Sequence, residues 1–161
     1  MKLQKIVSHL QKLHPKEIDL SLDRIKILCE KLGNPQDKIK AISVVGTNGK
    51  QSTINAIFSI LKEAKVKCNV YTSPHIQKIN ERFVFNNNML HDDELIDLFE
   101  EVEKINDQNP LTFFEALSAC YFYKAAQYPN NVNLIEAGLF HRFDATNILK
   151  NNLASVVCSI S

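Results

Sequence analysis

Glycine is scarce in this 161-residue chain: there are four, and two of them, Gly46 and Gly49, stand three positions apart in the stretch VVGTNGKQST. Cysteine is equally thin. Cys29, Cys68, Cys120 and Cys158 lie far apart among apolar neighbours and form no C-x-x-C pair. That spacing argues against a zinc site or a disulfide framework, and buried reduced thiols in a cytosolic protein are the plain reading. Charge of either sign is not in excess: the net charge is +1. There is thus no general electrostatic case for nucleic acid or an anionic membrane as partner. No apolar run approaches the roughly 20 residues a membrane span requires. The N-terminal MKLQKIVSHLQKLH is amphipathic without a small-residue cleavage site, so no secretory signal is read and a cytoplasmic location is expected. Repeats and low-complexity segments are also missing.

What is present is an ordinary globular composition, 45% hydrophobic and 23% charged, in a chain long enough for one domain with a core. Leu3, Ile6, Val7, Leu10 and Leu13 follow helical spacing up to Pro15. Ser21 is placed to cap a second helix burying Leu22, Ile25, Leu28 and Leu32, which Gly33 ends and Asn34-Pro35 keeps from restarting. AISVV (41–45) reads as a buried strand, followed by a loop and a helix carrying Ile54, Ile57, Phe58 and Leu61. CNVY (68–71) is a second strand ending in Thr72-Ser73-Pro74-His75, and FVF (83–85) a short extended piece closed by Asn86-Asn87-Asn88. Leu95, Phe99, Val102 and Ile105 mark another helix, with Asp92 as its expected cap. Thr112-Phe-Phe-Glu115 is a capping box opening a helix that runs to about Tyr128, and NLIEA (133–137) and ASVVCSI (154–160) are further strands.

Strands separated by helices imply an α/β fold: a P-loop-type, mostly parallel sheet flanked by helices. Right-handed crossovers bring the loops after the strands to one sheet edge, where ligands sit. Three suggestive loops fall there: GTNGKQS, TSPH and EAGLFHRFDATN. In the first, a strand, a glycine turn, a lysine and a helix make a phosphate cradle. The glycines let the backbone turn and aim N–H groups at an anion, the helix dipole adds to the field, Lys50 supplies a charge, and the Ser52 hydroxyl reaches phosphate or magnesium. The spacing is Gly46-x-x-Gly49-Lys50, shorter than the G-x-x-x-x-G-K-[ST] pattern, and a plain strand-to-helix loop with an exposed lysine is the alternative.

These residues carry a resemblance. VVGTNGKQS resembles the GTNGKGS loop of the folylpolyglutamate synthase/dihydrofolate synthase family, within the Mur ligase superfamily. TSPHIQKINERF, LTFFEALSACYF and EAGLFHRFDATNIL resemble its S-P-H-L…E-R, T-F-F-E-A-L and E-V-G-L-G-G-R-x-D-A-T-N segments, and KLGNPQ resembles its entry to the domain. The resemblance implies an ATP-dependent ligase that adds L-glutamate to dihydropteroate, folate or both: a substrate carboxylate attacks the γ-phosphate, and glutamate's amine displaces phosphate from the acyl phosphate. It implies ATP and Mg2+ as cofactors. By position, Gly46, Thr47, Asn48, Gly49, Lys50 and Ser52 match the ATP phosphate loop, and Ser73 and Glu136 match magnesium ligands. Thr112, Phe113, Phe114, Glu115, Phe143, Asp144 and Ala145 match the pterin-side pocket. Lys50 and Glu136 are the residues expected to carry the chemistry.

Several of these residues also have a plainer reading. Glu115 can be only a helix cap, Glu136 without the motif would face solvent, and His75 can be surface decoration. Arg82 can pair near Glu81 or with a substrate carboxylate. One of Phe113 and Phe114 should face the core while the other stacks on the pterin. Gln51 replaces the family's glycine, Phe140-His141 replaces Gly-Gly, and Lys65 takes a helix-end position often held by glycine. The chain ends at Ser161, about where the family carries an Asp-His segment with a further metal ligand. Residues 1–161 are therefore expected to be a partial N-terminal ATP-binding domain, the first part of a Mur-ligase-like central domain, without the C-terminal glutamate-ligase domain. A separately encoded C-terminal half would then be a partner. The alternative is a non-catalytic remnant with weak or no nucleotide binding. A Mur-type ligase of cell-wall precursors fits TFFEAL and SPH less well.

Overall fold

The computed structural model describes residues 2–14, 21–138 and 141–161, with His141 described by its backbone alone. Its centre is a six-stranded sheet: β1 (Lys40–Val45), β2 (Cys68–Tyr71), β3 (Phe83–Phe85), β4 (Asn88–Met89), β5 (Val132–Glu136) and β6 (Asn152–Val157). The strands lie in the order β4-β3-β2-β5-β1-β6. β2, β5, β1 and β6 run parallel, and β3 and β4 form an antiparallel hairpin at the far edge. The expected parallel strands are all present, and FVF becomes the first arm of that hairpin. Asn86 and Asn87 make its turn with φ of 53° and 69°, a conformation asparagine tolerates better than most residues.

Among the described residues the α-helices are α1 (Lys2–Leu13), α2 (Asp23–Lys31), α3 (Lys50–Glu63), α4 (Asp92–Asn106) and α5 (Phe113–Ala125). Successive strand residues point to opposite faces, and both faces are covered. Val44, Val70 and Leu134 pack with Ile54 of α3 on one face. On the other, Ala41, Tyr71 and Ile135 join the core built by α1, α2, α4 and α5. Helix α5 is buried continuously from Glu115 to Phe122, the signature of a helix enclosed on all sides rather than an amphipathic one. Its Tyr121 stacks at 4.9 Å on Tyr71 and 5.3 Å on Phe85, while Tyr71 also meets Phe83 at 5.7 Å. Such pairs contribute roughly 0.5–1.5 kcal/mol each beyond area burial.

Two helix starts differ from expectation. Ser21 Oγ accepts from Asp23 N–H at 3.1 Å, but the cap position of α2 is Leu22. The cap of α4 is His91, whose N–H donates to Glu94 at 3.1 Å; Asp92 instead accepts from Asn80 Nδ2 at 2.9 Å. The α5 box forms as read: Glu115 N–H donates to Thr112 Oγ1 at 3.1 Å, and Thr112 N–H to Glu115 Oε2 at 2.6 Å. Lys65 closes α3 with φ 60°, the left-handed conformation expected of its glycine-like position. Among the described residues no helix is long and apolar enough to cross a membrane.

Candidate functional site

Parallel strands deliver three loops to one edge. Val44 pairs with Glu136 and Tyr71 with Ile135, so the ends of β1, β5 and β2 are side by side. The two loop glycines serve different needs. Gly46 has φ 137°, and a Cβ there would stand 2.9 Å from Cys158 Cβ and 3.0 Å from its carbonyl carbon. Gly49 has φ 85° with nothing within 4 Å, so it is needed for the turn into α3 rather than for space. Gln51 lies in the first helical turn, exposed and outside the left-handed residues, so its exchange for glycine carries no backbone strain.

The backbone of the loop is braced from the residues that follow β6. Ser159 C=O accepts from Thr47 N–H at 2.8 Å and Asn48 N–H at 3.3 Å, and Asn48 Nδ2 donates to Ser161 Oγ at 3.3 Å. The first bond of α3 runs from Thr53 N–H to Gly49 C=O at 2.9 Å. Helix geometry therefore leaves the N–H groups of Lys50, Gln51 and Ser52 without an intrahelical acceptor, which suits an anion. Lys50 folds back across the loop: Nζ donates to Gly46 C=O at 2.9 Å and Thr47 C=O at 3.4 Å, and lies 3.8 Å from Glu136 Oε1.

Glu136 is buried, 4% exposed, not turned to solvent as its sequence position alone suggests. Its Oε2 accepts from Ser73 N–H at 3.0 Å, so the two expected metal ligands are neighbours. Burial pushes the Glu136 carboxyl up, against the Ser73 N–H and the charges of Lys50 and Arg82. A buried carboxylate beside a serine offers the oxygen donors that a hard cation prefers, although the Lys50 ammonium already faces it. No group of three or more His, Cys, Asp or Glu among the described residues could hold a metal by itself.

The S-P-H…E-R segment is rigidly organised. Ser73–Pro74 is a cis peptide. Glu81 accepts from the N–H groups of Ile76, Gln77 and Lys78 at 2.8, 2.9 and 2.8 Å, which hold its carboxyl below its usual range. Arg82, 9% exposed, donates from Nε to His75 Nδ1 at 2.9 Å. His75 is thus Arg82's partner, not decoration; desolvation, then the Arg82 charge, pull its pKa down while Glu81 opposes.

At the start of α5, Glu115 both caps and pairs, accepting from Arg24 Nε at 3.2 Å with Nη2 at 3.0 Å. Phe113 is buried in the core, whereas Phe114 is half-buried and lies 6.0 Å from the Tyr71 ring. Gly138 sits against both Phe114 and the Asp144 carboxylate, where a Cβ would collide with Asp144. Asp144 accepts from Thr146 N–H at 2.9 Å and Thr146 Oγ1 at 2.6 Å. Ala145 is buried and Phe143 is 42% exposed. Phe140 and the side chain of His141 lie outside the described residues. Sequence reasoning missed Arg24, which no motif flags, and the Ser159 brace, which is a backbone carbonyl. It also missed the buried Asn69–Asn131–Asn133 network at the opposite edge, joined by Tyr121 Oη, although asparagines inside apolar strands were a usable signal.

A dihydrofolate synthase/folylpolyglutamate synthase of Haemophilus influenzae is 40% identical over 156 residues, 96% of this chain and 35% of that protein. The chain is a homologue of the N-terminal third of the folylpolyglutamate synthase/dihydrofolate synthases. Escherichia coli FolC in complex with DHPP and ADP superposes with a TM-score of 0.90 at 34% identity, over 99% of this chain and 38% of that one. The bifunctional folylpolyglutamate synthase/dihydrofolate synthase of Yersinia pestis, complexed with AMPPNP and Mn ion, gives 0.86 at 32% identity, over 96% of this chain and 38% of that one. No protein-family model matches. The chain spans just over a third of the length of the curated relatives it matches.

Proposed function

We propose that this chain carries the nucleotide-phosphate and pterin-side elements of an ATP-dependent ligase that adds L-glutamate to dihydropteroate or folate. One observation carries the reading. Lys50 and Glu136, which lie 86 positions apart in the sequence, meet at 3.8 Å at the carboxyl edge of the sheet. Ser73 is bonded to the same carboxylate. The homologous FolC and Yersinia proteins, complexed with ADP or with AMPPNP and Mn ion, support ATP with a divalent metal here.

In this reading the N–H groups at the start of α3 and the Lys50 ammonium bind the phosphates, with Gly46, Thr47, Asn48, Gly49 and Ser52 forming the loop. Glu136 and Ser73 would hold Mg2+, which when bound neutralises phosphate charge. Thr112, Phe113, Phe114, Glu115, Phe143, Asp144 and Ala145 shape the pterin pocket, with Phe114 rather than Phe113 free to meet the ring. The substrate carboxylate attacks the γ-phosphate and ADP leaves; the amine of glutamate then attacks the acyl carbon, and inorganic phosphate and the amine's proton depart as the amide forms. The protein contributes placement and charge neutralisation. Orientation of bound reactants is worth roughly 7–11 kcal/mol of barrier. These 161 residues match just over a third of the relatives' length, and turnover is expected to need the remaining part of such a ligase, present on the same polypeptide or supplied in trans. The test is incubation with Mg-ATP, labelled glutamate and dihydropteroate, with and without that remaining part. Incorporation only with both, lost in Lys50→Ala, supports the reading; no incorporation with both refutes it.

A further inference from the structure

Lys50 Nζ sits among three oxygens: the Gly46 and Thr47 carbonyls at 2.9 and 3.4 Å, and Glu136 Oε1 at 3.8 Å. Both side chains are nearly enclosed, 11% exposed for Lys50 and 6% for Glu136. The second carboxylate oxygen is taken by Ser73 N–H at 3.0 Å. The one Glu136 oxygen turned toward the loop therefore faces a cation already, and that cation is tethered to the chain. The same ammonium stands at the mouth of α3, where a phosphate would lie.

The geometry points to Lys50 as the resident cation of the Glu136 site: it holds the site against a divalent metal until a nucleotide phosphate draws the ammonium away. This rests on the reading of Glu136 as a metal ligand. Two cations cannot share one buried carboxylate oxygen at contact distance without strong repulsion. A phosphate offers the ammonium more charge than two carbonyls do, and the lysine's flexible stem lets it move. Once it has moved, the buried Glu136 carboxylate has lost its Lys50 partner and keeps only the Arg82 charge as compensation, which makes it a better site for a hard cation. Metal and nucleotide thus enter together, each raising the other's affinity, and metal alone enters poorly.

The probe is Mn2+ without nucleotide, followed by the loss of the free-ion electron spin resonance signal. Wild-type chain should bind it weakly. Lys50→Met, which keeps the length of the side chain and removes its charge, should tighten binding by roughly tenfold or more. Lys50→Arg, which keeps a cation, should not. Adding Glu136→Gln to Lys50→Met should abolish the gain. Thermal melting of each variant reports folding, and Lys50→Gln replaces Lys50→Met if the latter is unfolded. Unchanged or weaker Mn2+ binding in Lys50→Met, with binding still lost on Glu136→Gln, overturns the inference alone. If Glu136→Gln changes Mn2+ binding in no background, the metal-ligand reading falls and the inference falls with it.

Discussion

Replacing Gly46 with alanine tests whether the loop's first glycine is needed for crowding as well as for conformation. The new Cβ would meet Cys158 at 2.9 Å from Cβ, 3.0 Å from the carbonyl carbon and 3.1 Å from the oxygen, distances that require backbone to move. A residue strained by positive φ costs roughly 1–3 kcal/mol. Overpacking adds about another 1–3 kcal/mol. The sum for Gly46→Ala is therefore about 2–6 kcal/mol. Gly49→Ala is the internal control: its φ is 85° but no atom lies within 4 Å, so only conformational strain of about 1–2 kcal/mol is expected. The assay is urea unfolding followed by circular dichroism, with the midpoint compared at constant slope. Adding Cys158→Gly should recover part of the Gly46→Ala loss, because it removes the Cβ contact and leaves the two backbone ones. If Gly46→Ala costs no more than Gly49→Ala, the packing of Cys158 against the loop after β1 is not what selects glycine there.

Thr112→Ala should cost about 1 kcal/mol through the lost cap. Glu115→Ala should cost more than Thr112→Ala, by up to about 1 kcal/mol, because it removes the carboxylate that serves both the cap and the part-exposed Arg24; equal losses in urea unfolding would contradict the dual role. The folded chain holds His75 below its ordinary value of 6.5, chiefly by desolvation and then by the Arg82 charge. The unfolded chain therefore takes up the proton first, so the His75–Arg82 contribution is full above the unfolded value and is lost as pH falls through the folded one. Unfolding free energies of wild type and His75→Asn should accordingly approach one another as pH falls from above the ordinary 6.5 through the lower folded value, and a constant gap would contradict this. β6 is an edge strand with Leu153 and Val157 exposed by 56% and 64%, followed by Ile160 exposed by 76%, and this edge should promote self-association. Val157→Lys should lower the sedimentation-equilibrium mass at high concentration; no concentration dependence in the wild type would refute this.

The strands and the ligand edge were legible because β-branched runs separated by helical stripes leave few arrangements, and right-handed crossovers collect the loops on one side. The Thr112 box was legible because both partners lie within one turn. Glu136 was misjudged by pattern alone for a specific reason. Alternation along β5 sends Ile135 to the larger core, which implies solvent for its neighbour, but a sheet covered on both faces buries both. The Arg24–Glu115 pair joins residues 91 apart, and no local periodicity reports such a contact. The Ser159 brace uses a carbonyl that every residue possesses, so its sequence carries no mark of it. The cap of α4 was misplaced by one residue because three acidic residues, Asp92, Asp93 and Glu94, crowd the first turn and any of them satisfies the dipole.

The central claim is that Gly49 and Lys50 open a helix that binds nucleotide phosphate. Calorimetric titration of Mg-ATP into the wild-type chain and into Lys50→Ala tests it most directly. The account predicts measurable binding in the wild type, weakened roughly tenfold or more in the variant, because the charge-assisted contacts to phosphate are the strong ones. Equal affinity in the two proteins would contradict it.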